Sequence, residues 1–134
     1  MTGETDLQRL LAGMRPSMSE TAFAFATARS LRDVPASVSI IGSFKEDEGV
    51  TVIATQDQLA RTGLTQSGPF AKISLAVHSS LVAVGLTAKI ATSLAQRGIS
   101  ANIVAGYFHD HIFVPWEERH AALDILNDLG AGRI

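Results

Sequence analysis

The spacing of apolar residues in the second half of the chain changes from the period of a strand to that of a helix, then back again, within sixty-odd residues. FAKISLAV, residues 70–77, alternates Ala71, Ile73, Leu75 and Val77 with Lys72 and Ser74, which is the period of two of a half-buried strand. After a loop at 78–85, Leu86, Ile90 and Leu94 form a helical stripe over 85–97, and Gly98 supplies the stop. ISANIVAGY, 99–107, returns to alternation, with Ile99, Ala101, Ile103 and Ala105 on one face. HIFVP, 111–115, is a further strand, joined to it through Phe108–Asp110. The helix WEERHAALDILNDLG follows, with acids in its first turn, Ala122, Ile125, Leu126 and Leu129 on its apolar side and Gly130 at its end.

Strand, helix, strand, strand, helix is most of a split βαβ, or ferredoxin-like, unit. A half of about 65 residues is marginal alone, so the first half is expected to complete the sheet and core. There, Leu7, Leu10, Leu11 and Met14 mark a short helix over 4–14 that Pro16 stops. TAFAFATA, 21–28, suits a strand, and 29–37 carries charge and Pro35 as a loop. VSIIGSFK and VTVIAT flank the acidic turn EDEG, 46–49, as a hairpin. Thr55 and Gln58 form a capping box for a helix at 56–62, ended by Gly63. TQSGP, 65–69, reads as a linker, which divides the chain into 1–68 and 69–134.

Composition narrows the function. With 46% hydrophobic and 18% charged residues, the chain has material for a core and too little charge for disorder. A net charge of −2 gives no basic footprint for nucleic acid or an anionic membrane. The absence of cysteine excludes disulfides, thiol nucleophiles and thiolate-bound zinc or iron–sulfur sites. MTGETDLQRL lacks the basic and apolar regions of a signal peptide. No stretch approaches the roughly 18 apolar residues of a membrane span, so a cytoplasmic protein is expected.

The run GLTAKIATSLAQRGISANIVAGYFHDHIFV, 85–114, resembles an ACT domain of the variety found in tandem-ACT proteins and the CASTOR amino-acid sensors. The resemblance rests on Gly85 opening the helix, Gly98 before the next strand, and a hairpin through Tyr107 and Asp110 into Ile112–Val114. GETDLQRLLAGMRP is similar to the start of small bacterial proteins built from two ACT-like units. The resemblance implies an α+β, ferredoxin-like fold of two ACT-like units, each an antiparallel sheet covered by helices on one face. It also implies a non-catalytic small-molecule binder, the ligand an amino acid and the assembly a homodimer, passing its signal to a separate protein partner. The ligand positions it implies are Ser79, Ser80, Val84, Gly85 and Leu86, and Asn102, Gly106, Tyr107 and Asp110, to which strand alternation adds His111. Sensor-type members carry a Ser-Thr pair just before the tyrosine, where this chain has Ala105-Gly106.

The residues themselves leave three readings of GYFHDHIFVP, 106–115, open. His109 and His111 share a face of an extended strand, but a zinc site needs three or four ligands, and His78 and His120 are the only other histidines. Ser79 or Ser80 with His109 and Asp110 can be written as a nucleophilic triad, although no GxSxG elbow fixes its geometry. A pocket for a free amino acid uses more residues. Backbone N–H groups at the helix start suit a carboxylate, Gly85 permits close approach, Ser79 and Ser80 add hydroxyls, and Asp110 offers a counter-charge for an ammonium. Asn102 lies on the strand face away from Ile99, Ala101 and Ile103, and His111 on the face away from Ile112 and Val114. Against each stands a structural role: Ser79 and Ser80 as caps, Gly85 and Asp110 as turn residues, the histidines as solvated strand positions, Tyr107 and Trp116 as partly buried core. The expectation is ligand binding without catalysis, metal or cofactor. The alternatives are an interaction module without a small ligand, and a metal-assisted hydrolase.

Overall fold

The computed structural model describes residues 3–77 and 85–134, with side chains from residue 7 onward. Its elements are α1 (Gly3–Ala12), β1 (Ser17–Met18), β2 (Phe23–Ala28), a 3-10 turn (Leu31–Asp33), β3 (Gly42–Glu46), β4 (Gly49–Thr55), α2 (Gln56–Ala60), β5 (Gln66–Ser74), α3 (Leu86–Ala95), β6 (Asn102–Ala105), β7 (Asp110–Pro115), a second 3-10 turn (Trp116–Glu118) and α4 (Arg119–Gly130). They gather into a contiguous unit, Glu20–Phe70, and a split unit, Met1–Ser19 with Ala71–Ile134.

In the split unit the strand order is β1, β5, β7, β6. The alternation of β5 and β7 and the stripes of α3 and α4 meet in one core, where Ile73, Leu75, Leu86, Ile90, Leu94, Ile112, Val114, Leu126 and Leu129 are at most 1% exposed. The N-terminal segment belongs to this core. Met14 is fully buried in it, Leu7, Leu10 and Leu11 pack against it, and Ala76 N–H donates to Met14 O at 2.6 Å. β1 then pairs Ser17 with Ser74 and Met18 with Ile73. The N-terminal segment thus adds a helix and a fourth strand to β5, α3, β6, β7 and α4, which come much later in the chain. The sequence divides at 68/69, whereas the contacts divide the chain within β5 and return residues 1–19 to the second unit.

In the contiguous unit the strand order is β3, β4, β2, β5, antiparallel throughout. Ala24, Ala26 and Ala28 of β2 face the core beside Val50, Val52 and Ala54 of β4. These small side chains let Val34 and Val38 of the β2–β3 connection, and Leu59 of α2, settle on the sheet. Phe25 lies on the other side, edge-to-face against Phe70 at 5.4 Å.

Four expectations are corrected. TQSGP is not a linker: Gln66 and Ser67 pair with Ala26 and Phe25 inside β5. Its glycine and proline fall at an irregularity where the register shifts between Phe23 and Phe25, a position where a strand tolerates both. β3 begins at Gly42 and β6 at Asn102, later than the alternation suggests. Thr55 does cap α2, accepting from Gln58 N–H at 3.3 Å, but the Gln58 side chain accepts from Ser39 N–H at 2.8 Å, tying down the β2–β3 connection.

Candidate functional site

The β6–β7 hairpin positions most of the sequence-derived site residues. Gly106 N–H donates to His109 O at 2.9 Å and closes the turn. A Cβ on Gly106 would lie 2.7 Å from that same oxygen, so the close approach requires glycine. Tyr107 and Phe108 project from the tip, 77% and 64% exposed, their rings edge-to-face at 5.0 Å. Tyr107 is therefore not a core aromatic. Trp116 is half-buried, packs against the core of its unit, and carries the Arg119 guanidinium 3.9 Å above its ring.

Asp110 is part of the ladder, opposite Ala105. Strand alternation puts it on the face of Ile112 and Val114, and it is 5% exposed. Its carbonyl accepts from Leu75 N–H at 2.9 Å, just beyond the end of β5. His111 lies on the opposite face, half-buried, with Nδ1 2.8 Å from Ser74 Oγ. Burial lowers its pKa from the ordinary value, Lys72 and His109 push the same way, and Asp110 opposes them. Burial and the neighbouring cations thus favour the neutral imidazole over the charged one.

Gly85 caps α3 in the left-handed region, φ 96°, a conformation that favours glycine. Leu86 is 1% exposed and spends its side chain in the core, leaving only backbone to a ligand. Asn102 is exposed at the far end of β6, paired with Phe113, and four residues from Gly106, about 13 Å along a strand. The structure thus brings Gly106, Tyr107, His109, Asp110 and His111 to one hairpin and leaves Asn102 apart from them. Ser79, Ser80 and Val84, with His78, lie outside the described residues. Among the described residues no three His, Asp or Glu side chains converge as metal ligands do.

A second concavity was not anticipated. In the contiguous unit the 3-10 turn after β2 and the β3–β4 turn enclose a groove of about 560 Å³. Arg29, Arg32 and Lys45 line it together with Asp47, Glu48 and the half-exposed Leu31. None of these three cations forms an ion pair with the described residues. Both charge signs, with one apolar side chain, meet in a space of small-molecule size. The sequence carried the parts, two arginines three apart and an acidic turn, but not their approach.

Two family models, each described as ACT domain, match residues 2–71 and 68–128. The chain belongs to the ACT-domain family. Both ACT units have the antiparallel sheet with helices on it that the sequence predicted, although α2 and a loop do the covering in the contiguous one. A protein of unknown function from Vibrio cholerae, described as a possible transport protein, is 41% identical over 96% of this chain and 99% of its own, with a TM-score of 0.86. A protein from Agrobacterium tumefaciens has 15% identity over 82% of this chain and 84% of its own, with a TM-score of 0.67. The regulatory subunit of aspartate kinase from Thermus flavus has 12% identity over 85% of this chain and 95% of its own, with a TM-score of 0.62. The last two are likenesses of fold. No curated protein matches the sequence. ACT domains are typically small-molecule-binding regulatory modules. Among the described residues no helix is long and apolar enough to cross a membrane.

Proposed function

We propose that this protein is a non-catalytic regulatory or sensor protein of the cytoplasm, a homodimer that binds a free amino acid and signals to a separate protein partner. The observation that carries this reading is the groove at Arg29, Arg32 and Lys45 within an ACT unit. The arginines suit a carboxylate, which guanidinium forks bind bidentately, and Asp47 and Glu48 suit an ammonium. Leu31 offers an apolar wall. The fold likeness to an aspartate kinase regulatory subunit agrees with a regulatory role. A second ligand position at Gly85, Asp110 and the hairpin tip is part of the same proposal, with Ser79, Ser80, Val84, Leu86, Asn102, Gly106, Tyr107 and His111 around it.

The test is calorimetric titration of the chain with the twenty amino acids. The expected result is saturable binding of one or a few of them, weakened about ten- to a hundredfold in an Arg29→Gln, Arg32→Gln variant. Asp110→Asn reports on the second position; tight binding in that variant leaves Asp110 a structural residue. If no amino acid binds at millimolar concentration, the interaction-module reading replaces this one. The exposed Phe44, Tyr107 and Phe108, at 72%, 77% and 64%, favour that second reading.

A further inference from the structure

We propose that the split unit carries a binding site of its own for an aliphatic monocarboxylate, an acid with an apolar body and no ammonium group. The inference goes beyond the amino-acid reading of the Arg29 groove and does not depend on it. The site is a groove of about 500 Å³ along one face of α1, near the start of α3 and around the end of α4. Leu7 and Leu11 of α1, Leu129 of α4 and Ile134 give it apolar walls. At Gly130 the end of α4 meets α1 without an intervening side chain, since a Cβ there would stand 3.1 Å from Leu11 O. A space of this size with mostly apolar walls suits an aliphatic body, and its few polar groups select the head.

Charge decides what that head is. Among the described residues that line the groove, Lys89 is the only charged side chain. It is exposed near the start of α3, whose first turn carries no acid, and it forms no ion pair with the described residues. An ammonium beside apolar surface attracts an anion, and the positive end of α3 acts in the same sense. A ligand ammonium meets no carboxylate among these lining residues. The last carbonyls of α4 are already engaged: Ala131 N–H donates to Asn127 O at 3.0 Å, Gly132 N–H to Leu129 O at 3.2 Å and Arg133 N–H to Asp128 O at 2.8 Å. The Asp128 carboxylate is held by the Arg133 guanidinium at 2.7 Å. Gln8, the other polar side chain of the groove, is neutral. The Arg29 groove joins both charge signs and suits a zwitterion, whereas this one offers a single cation and suits a simple anion. Short fatty acids and the 2-oxo acids of aliphatic amino acids share that chemistry.

The experiment titrates the full chain with hexanoate and, separately, with 4-methyl-2-oxopentanoate, using hexylamine and leucine as counter-probes. Calorimetry gives the affinity, and amide NMR shifts at Gln8, Ala12, Lys89 and Ala131 give the place. At least one acid is expected to bind saturably below about ten millimolar and to move those amides, and the tighter of the two names the source. Hexylamine and leucine are expected to leave the same amides where they are. Lys89→Gln, a change at an exposed position, is expected to weaken acid binding about five- to tenfold. The proposal is overturned if neither acid binds, if Lys89→Gln binds the acids as tightly as the wild type, or if the shifts fall around Arg29 and Lys45 instead. Hexylamine or leucine moving the Gln8 and Lys89 amides as strongly as the acids overturns it too. Leucine shifts around Arg29 and Leu31 report on the proposed function alone, so the two readings fail separately.

Discussion

The two units thread their strands in one order and cover them differently. Numbered along the chain, the strands of the contiguous unit stand second, third, first, fourth, as β3, β4, β2, β5. In the split unit β6, β7, β5 and β1 stand in that same order, once β1 is counted as the fourth strand. After its first strand the split unit has the ten-residue helix α3, opened by Gly85. At the matching point the contiguous unit has a 3-10 turn and a loop, and the groove at Arg29 and Arg32 opens there. One core is built of leucine and isoleucine under three helices, the other of alanine and valine under a loop and a five-residue helix. The topology is the common property. The cover is what varies, and a thinner cover leaves room for a polar concavity.

The largest expected effect tests that difference in cores. Ile90 and Val52 are both fully buried, one in each unit. Ile90→Ala should cost ~2–5 kcal/mol, because the aliphatic core around it relaxes only in part. Val52→Ala removes two methyl equivalents at ~0.8 kcal/mol each, about 1.6 kcal/mol before any cavity cost. Urea unfolding followed by circular dichroism compares them. A Val52→Ala loss equal to that of Ile90→Ala would mean that the alanine-rich core is packed as tightly as the other.

The two hairpins offer a sharper comparison. Gly49, at the β3–β4 turn, has φ 152° and would carry a Cβ 2.5 Å from Ala28 O. Gly106, at the β6–β7 turn, has the comparable clash with His109 O without a positive φ. Gly49→Ala therefore meets backbone strain as well as overlap and should lose about 2–3 kcal/mol, Gly106→Ala about 1–2 kcal/mol. The reverse order in melting temperature would show that the β3–β4 turn yields more easily than its geometry implies.

What the sequence shows and what it hides follow from range. The stripe Leu86, Ile90, Leu94 and the alternation Ala71, Ile73, Leu75 are local, and each is buried as its period implies. β1 is not legible, because two residues carry no period and its register is set by Ser74 and Ile73 far along the chain. Gln66 and Ser67 sit in TQSGP, whose composition is that of a linker, and only pairing with β2 makes them strand. At the site, the alternation that separates His111 from Ile112 and Val114 was readable. The burial of Asp110 was not, since it depends on where the end of β5 passes. The groove joins Arg29 and Arg32 to Lys45 and Glu48 across the β2–β3 connection, an approach that no local pattern encodes.

The smallest expected effect separates the units by their response to acid. All four histidines, His78, His109, His111 and His120, belong to the split unit, and residues 20–70 contain none. His111 has its pKa lowered in the fold, first by burial and then by Lys72 and His109. In the unfolded chain an imidazole titrates near about 6.5. Between that value and the lower folded one, the unfolded state binds more protons, so stability falls as the pH drops. The contribution is fully present above the unfolded value and lost as the pH falls through the folded one. His111→Gln keeps a hydrogen-bonding group toward Ser74 and removes the titration. The difference in melting temperature between wild type and variant should therefore shrink from pH 7.5 to pH 5.5. Proton NMR of the imidazole gives the sign directly, and Lys72→Gln should raise the midpoint of His111. A midpoint at or above the ordinary imidazole value of about 6.5 would remove burial as the governing cause. The acid response would then have to come from elsewhere in the split unit.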